Sequence, residues 1–324
     1  PGRVAAPTRP SPAMRYRPLT LLILLALVAL PAAARKLYRY QDADGVWHFT
    51  DRRPAQVGPL QVETLRFEEG RRWVTVRNRG SQQTPHLYGI NEYHGPVEIE
   101  LTLPRSENVS SDPALPLRRV LPATSELPLA RLWVTAPGRS AGYTLQYRVV
   151  PGDPGARHAP SKPYRPPFPN GHSYSITQGF HGRFSHTHAQ SAYAVDLAMP
   201  EGTPVVAARG GVVMEASNDF FEGGADRAKY IEKANYIRIL HDDGSMAVYG
   251  HLRGDSAQVA PGARIEEGQT IAASGNTGFT TGPHLHFAVQ LNAGMELVSV
   301  PFAFEGRDGA AITPEQGMVL TAFR

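Results

Sequence analysis

Hydrophobic and polar residues alternate with a period of two along much of this chain. Examples are residues 73–76, 97–103 and 143–149, which are separated by clusters of Gly, Pro and Asn. This alternation is typical of half-buried antiparallel strands, so residues 59–150 are predicted to form a β-sandwich-like domain. The 31 glycines and 29 prolines among 324 residues favour a mostly β fold that is rich in turns.

Two aromatic runs near the start, residues 37–40 and 46–50, flank the turn-forming pair Asp44-Gly45. An Asp-Gly pair between alternating runs predicts a β-hairpin, so residues 35–58 are expected to form a small β-hairpin module. This segment resembles the small N-terminal module found at the mature start of many proteobacterial envelope proteins. The resemblance implies a location in the cell envelope.

The second half of the chain follows a proline-rich boundary. Seven prolines interrupt the hydrophobic pattern in residues 151–169, which are predicted to be a semi-rigid linker. Short strands and glycine turns resume in residues 170–305, and residues 306–324 are expected to be a C-terminal tail. The long, charged connection over residues 217–234 predicts a surface flap beside a groove.

Residues 14–34 have the layout of a secretory signal peptide. Arg15 and Arg17 precede an apolar run over residues 19–30, and small residues follow at 31–34. The apolar run is short for a membrane span, which needs about 20 residues, although an uncleaved anchor is the alternative. We therefore expect an upstream extension over residues 1–13, export to the periplasm or cell envelope, and membrane contact only through an uncleaved signal segment.

Charge and cysteine content restrict the possible partners and ligands. The formal net charge is +4, but residues 1–34 contain four arginines and no acidic residue. Without them, the basic residues equal the 29 acidic ones, so the charge gives no reason to expect nucleic-acid binding. The chain has no cysteine, so any metal would be held by histidine and carboxylate side chains.

The most informative stretch is the run GPHLHF from residue 282, which contains His284 and His286. Successive side chains of a strand point to opposite faces, so these imidazoles are predicted to share a face about 7 Å apart. Such a pair can supply one ligand and one neighbouring catalytic base to the same metal ion. Asp196 lies inside another apolar run, where a carboxylate is costly unless it is paired, hydrogen-bonded or metal-bound.

Three separated motifs carry a resemblance to a known family. They are VDLAMPEGTPV from residue 195, YGHL from residue 249, and SGNTG from residue 274 followed by GPHLHF. In order and spacing they resemble the LytM/lysostaphin family of zinc metallopeptidases over about residues 173–305. The resemblance implies an antiparallel β-sheet domain with an open groove and one zinc ion per chain. It also implies hydrolysis of peptide bonds in peptidoglycan stem peptides or cross-links.

The resemblance implies roles for particular residues. Asp196 and His286 match two zinc ligands of the family, while His251 and His284 match its catalytic histidines. We expect these histidines to position or deprotonate a zinc-bound water and to stabilise the oxyanion. Which of the two acts as the base is left open.

The third zinc ligand is implied by a longer form of the motif. The simplest family pattern places it four residues before the Asp, where this chain has Ala192. Phe184-Ser185-His186 matches a form found in some envelope members, so His186 is the expected ligand and His188 the alternative. Two histidines and one carboxylate leave a fourth position open, as in catalytic zinc sites. The competing interpretation is a non-catalytic LytM-like domain that binds and activates a cell-wall amidase.

Overall fold

A computed structural model describes residues 73–323 and three strands that precede them. The chain divides into two compact units, Pro1–Arg71 and Arg72–Arg324. The predicted signal segment and upstream extension lie outside the described residues. Within the described part of the chain, no helix has the length and hydrophobicity needed to cross a membrane.

The described strands of the first unit are β1 (Lys36–Gln41), β2 (Trp47–Thr50) and β3 (Glu63–Arg66). β1 pairs with β2 in antiparallel register, with Gln41 opposite Trp47, and the predicted turn at Asp44-Gly45 lies outside the described residues. β3 pairs with the other edge of β1, which gives the strand order β2-β1-β3. The third strand was not expected from the sequence.

The second unit begins with two antiparallel sheets that share a core. Their strands are β4 (Val74–Asn78), β5 (His86–Asn91), β6 (Val97–Glu107), β7 (Val109–Asp112), β8 (Leu117–Leu121), β9 (Ser125–Val134) and β10 (Gly142–Pro151). One sheet has the order β10-β6-β8 and the other β4-β5-β9-β7. Ile99 and Leu101 of the first sheet pack in one cluster with Leu87 and Leu129 of the second.

The rest of the second unit forms a domain around one large sheet. Its elements are β11 (Ser173–Gln178), β12 (Val195–Leu197), β13 (Pro204–Val206), β14 (Gly211–Ser217), β15 (Gly223–Gly224), α1 (Arg227–Tyr230), β16 (Tyr236–Leu240), β17 (Met246–Gly250), β18 (Arg264–Ile265), β19 (Thr270–Ala273), β20 (Gly278–Phe279), β21 (Leu285–Asn292), β22 (Leu297–Ser299), β23 (Phe304–Glu305), a 3-10 turn (Arg307–Gly309), β24 (Ala311–Ile312) and β25 (Val319–Thr321). The prediction of a mostly β chain with antiparallel sheets is confirmed.

The nine-stranded sheet has the order β18-β14-β16-β17-β21-β12-β11-β25, with β22 pairing to β21. The inward-facing residues of its central strands, including Val195, Tyr249 and Phe287, are completely buried. The flap over residues 217–234 contains β15 and the single helical turn α1. Parallel pairing of β15 with β20 connects the flap to the segment just before His284.

The sandwich packs directly against the large sheet. Met214 and Met246 of the large sheet belong to the same buried cluster as the sandwich core. The buried carboxylate of Glu98 accepts hydrogen bonds from the Asn292 side chain at 2.9 Å and from the Met295 backbone at 2.7 Å. The two sheet systems of the second unit are therefore joined by both apolar and polar contacts.

Two segments differ from the expectations for a linker and a tail. Residues 151–169 contribute the completely buried ring of Phe168 and the almost completely buried ring of Tyr164 to the core of the large sheet. In residues 306–324, β25 pairs with β11 and Leu320 is buried. Both segments are thus parts of the folded domain, because their isolated apolar residues fill the core without a periodic pattern.

This packing predicts a large stability loss for Phe168→Ala. Truncating a buried Phe removes its transfer free energy and leaves a cavity, so the free energy of unfolding should fall by about 3–5 kcal/mol. Lys162→Ala is the matched control in the same segment, because it removes a half-exposed ion pair with Glu267 and should cost less than about 1 kcal/mol. Urea unfolding of both variants measures the difference. Equal, small effects would contradict the packing.

Candidate metal centre and active site

Pairing of two central strands brings Asp196 and His286 together. Asp196 in β12 lies directly opposite His286 in β21. Residues directly opposite each other have their side chains on the same face of a sheet, about 5 Å apart at Cβ. Nδ1 of His286 accordingly lies 2.9 Å from Oδ1 of Asp196. The predicted ligand in the apolar strand and the second histidine of the pair thus lie in contact.

His186 reaches the same carboxylate from the turn between β11 and β12. Its ring is 1% exposed, and its Nε2 lies 3.2 Å from Oδ1 of Asp196. Its Nδ1 donates a hydrogen bond to the Gly179 carbonyl at 2.9 Å, which leaves Nε2 directed at the carboxylate. His188 is exposed, and its Nε2 lies 3.4 Å from the guanidinium of Arg227. The structure therefore brings His186 to Asp196 and leaves His188 outside this group.

Gln178, at the end of β11, connects the turn to the carboxylate. Its amide nitrogen donates to Oδ2 of Asp196 at 2.8 Å and to the Ser185 hydroxyl at 2.7 Å. Its amide oxygen accepts hydrogen bonds from the backbone amides of Phe184 and Ser185. Sequence reasoning missed this residue. The sequence did offer one signal: Gln178 lies two residues after the buried Ile176, so strand alternation places a polar side chain where a buried one is expected.

His284 and His251 lie side by side next to the Asp–His pair. Their ring centres are 4.5 Å apart, and Nε2 of His284 lies 3.8 Å from Oδ1 of Asp196. Nδ1 of His284 donates to the Gly282 carbonyl at 2.8 Å, and Nδ1 of His251 donates to the Thr277 carbonyl at 2.7 Å. Both Nδ1 protons are therefore held by the backbone, so each Nε2 has a lone pair that can accept a proton.

The SGNTG segment holds His251 in place. The Thr277 hydroxyl donates to the Leu252 carbonyl at 2.8 Å, while its backbone carbonyl receives the His251 proton. A Cβ on Gly275 would lie 2.4 Å from the backbone nitrogen of Arg253, so glycine is required for this close approach. His251 itself has a φ of +58°, a left-handed conformation that is strained for a non-glycine residue. The backbone thus fixes the imidazole in one orientation.

Electrostatic effects set the protonation of these groups. Burial opposes ionisation of Asp196, but hydrogen bonds with His186 and His286 outweigh it and hold the pKa of the carboxyl well below its ordinary value. Burial, reinforced by the neighbouring imidazoles of His284 and His286, lowers the pKa of His251 to about 3. The centre therefore contains an ionised carboxylate beside a neutral imidazole near neutral pH.

The remaining histidines of this domain lie away from the centre. His172 and His181 are exposed and contact Tyr174 and Tyr193. His241 follows the end of β16, where its backbone N–H donates to the Ser245 carbonyl at 2.8 Å and closes a turn. None of these three histidines reaches the Asp196 carboxylate.

One ligand atom each from His186, Asp196 and His286 lie within 4.8 Å of one another. Ligand atoms bound to one tetrahedral zinc ion at 2.0–2.2 Å lie about 3.4 Å apart, so small adjustments would place all three around an ion. Two nitrogen ligands and one oxygen ligand, with no sulfur, suit zinc with an open fourth position. The donor set therefore fits a catalytic metal ion.

The centre opens onto a cavity of about 360 Å³. Asp196, His251, His284 and His286 line it, and the flap contributes Arg227, Ile231 and Ala234. Phe184 and Phe279 complete an aromatic wall. Asp196, His286 and both additional imidazoles are thus reachable from one solvent-connected space, while the buried His186 does not line it.

Two family models match this chain. Peptidase family M23 matches residues 190–297, and a domain of unknown function, DUF4124, matches residues 24–66. The M23 match contains Asp196, His251, His284 and His286. His186 lies four residues before it, on the turn that departs from the simplest pattern.

Curated relatives are similar over the same region. The peptidoglycan DD-endopeptidase ShyA of Vibrio cholerae is 40% identical over 92 residues, which are 28% of this chain and 18% of that protein. Lysostaphin of Staphylococcus simulans is 34% identical over 129 residues, which are 38% of this chain and 24% of that protein. The chain thus spans about a fifth of the length of these relatives.

A solved structure of LytU is 32% identical, covers 38% of this chain and 77% of that one, and has a TM-score of 0.29. The family match and the curated relatives coincide with the strands that carry the candidate centre. This chain therefore contains a peptidase family M23 domain, which includes four of the five side chains that meet at the centre.

Proposed function

We propose that this protein is an exported, zinc-dependent endopeptidase that hydrolyses peptide bonds in peptidoglycan stem peptides or cross-links. The observation that carries the proposal is the convergence of His186, Asp196 and His286 within 4.8 Å, next to the imidazoles of His251 and His284. Relatives named as peptidoglycan endopeptidases support the substrate class. The signal-like residues 14–34 support export to the periplasm or cell envelope.

His186, Asp196 and His286 would hold the zinc ion. When bound, zinc would supply an acidified water and polarise the scissile carbonyl. The imidazoles of His251 and His284 lie beside the metal-binding group. Their Nδ1 protons are held by backbone carbonyls, so each Nε2 can accept a proton from the attacking water. Once protonated, either imidazole can donate a hydrogen bond to the tetrahedral oxyanion or pass the proton to the leaving amine. The cavity walls would hold the peptide across this group.

The complete donor set favours this proposal over a non-catalytic activator of an amidase. An activator needs a docking surface but no metal ligands, and loss of a ligand would leave its function intact. Here the buried Asp196 carboxylate is surrounded by two imidazoles and an amide. A buried carboxylate of this kind is retained at a cost in desolvation, which metal binding would offset.

Zinc binding should depend on His186 and be independent of His188. His186→Ala removes one of three protein ligands and should reduce zinc to well below one ion per chain after dialysis. His188→Ala is the matched control from the same turn and should retain one ion per chain, because its imidazole is exposed and contacts Arg227. Elemental analysis of both variants measures the metal. Zinc loss in the His188 variant alone would contradict the ligand assignment.

Gln178 should act as a positioning residue for the zinc ligands. Gln178→Met removes the hydrogen bond to Asp196 and should weaken zinc binding by about 10- to 100-fold, as is typical for partners of metal ligands. Competition with a chromophoric chelator measures the dissociation constant. Gln316→Met, at an exposed position in the same domain, is the control. Unchanged affinity in the Gln178 variant would show that the turn is held by other contacts.

Cleavage of peptidoglycan tests the proposed function. Zinc-loaded protein incubated with cross-linked sacculi should convert cross-linked dimers into monomers, which chromatography with mass spectrometry can follow. His284→Ala should retain zinc but lose about 10²- to 10⁴-fold in rate, because it removes an acid–base group. Persistence of all dimers and stem peptides in the presence of zinc-loaded protein would refute the proposal. Stimulation of an amidase by the same preparation would then support the alternative.

A further inference from the structure

Arg227 places an unpaired cation on the wall of the cavity. Its side chain is exposed, belongs to α1 of the flap and lines the cavity. Among the described residues, no carboxylate lies within 4.0 Å of its guanidinium, whereas Lys229 two residues later lies 3.7 Å from Glu222. Apart from Asp196, which faces the histidines, Arg227 is the one residue with a fixed charge among those that line the cavity in the described chain.

One aromatic ring, itself stacked on a second, lies against this guanidinium. Its central carbon lies 5.4 Å from the centre of the Phe279 ring, a favourable cation–π distance. Phe279 in turn stacks on Phe184, with ring centres 5.7 Å apart and an interplanar angle of 14°. Phe184 is 60% exposed, so this stack is part of the surface and does not belong to the core.

The same guanidinium joins three segments around the cavity. Nη2 of Arg227 lies 3.4 Å from Nε2 of His188 on the turn that carries His186, while Phe279 belongs to β20. The flap, the turn and the segment before His284 therefore meet at this side chain. These contacts occupy one face and one nitrogen of the guanidinium and leave its other N–H groups available.

We propose that Arg227 is a specificity-determining residue that binds a carboxylate of the peptide substrate. A guanidinium presents parallel N–H donors that match the two oxygens of a carboxylate. Stem peptides can offer such a group at their C-terminus or on the side chain of a diaminoacid residue. The inference rests on the proposed function, which supplies the class of peptide. What it adds is that the bound peptide must carry a negatively charged group.

The test compares peptides that differ only in charge. Zinc-loaded full-length protein and its Arg227→Ala variant are each titrated calorimetrically with three forms of one stem peptide: the free acid, the C-terminal amide and the side-chain amide. The value of kcat/KM is measured for the same three peptides. Hydrogen bonds to a charged group predict that the protein prefers the free acid by about tenfold or more. The amide peptide that binds more weakly than the free acid identifies which carboxylate Arg227 binds.

Arg227→Ala should abolish this preference without changing the zinc content, and Arg227→Lys should retain part of it. Lys233→Ala removes an equal charge from an exposed position of the flap that does not line the cavity, so it should keep the full preference. Equal binding of acid and amides by the unmodified protein, or a preference that survives in Arg227→Ala, would overturn the inference.

The binding and hydrolysis measurements separate the two proposals. Charge-selective binding without cleavage would refute the proposed hydrolysis and support carboxylate recognition. Cleavage of acid and amides at equal rates would support hydrolysis and refute the role of Arg227. Failure to bind any of the peptides would contradict both.

Discussion

One carboxylate oxygen, Oδ1 of Asp196, is the point on which the candidate centre depends. Asp196 is 7% exposed, and a buried charge is strongly unfavourable unless surrounding groups compensate it. His186 and His286 contact Oδ1, and Gln178 donates to the other oxygen. Each compensating group comes from a different part of the chain. The Asp196 carboxylate therefore holds one turn and two strands in place around it. A bound cation would balance the rest of its buried negative charge.

The register of the large sheet imposes the second constraint. Asp196 lies opposite His286, and His286 lies opposite Gly250, so three neighbouring strands fix the histidine between them. A slip of one residue would turn His286 towards the opposite face and Phe287 out of the core. The completely buried Phe287 opposes such a slip. The hydrophobic core thus sets the geometry of the polar centre, although it contributes no ligand.

Period-two alternation predicted strands β4, β6 and β10 of the sandwich because it directly reflects which face of a strand is buried. The shared face of His284 and His286 followed from the same rule, whereas the strand location of Asp196 followed from the apolar run around it. Pairing of β25 with β11 and packing of Phe168 depend on contacts between distant segments, which no local pattern encodes. The role of Gln178 depends on how a turn folds back onto a strand. Such contacts become visible only in three dimensions.

Anomalous diffraction at the zinc absorption edge tests the central claim most directly. Crystals of zinc-loaded protein should give one strong peak in the M23 domain, about 2.0–2.2 Å from His186 Nε2, Asp196 Oδ1 and His286 Nδ1. A zinc ion in that position would make the shared carboxylate the anchor of a catalytic metal. A peak bound by His188, or zinc-loaded crystals without a peak between these three side chains, would contradict the account.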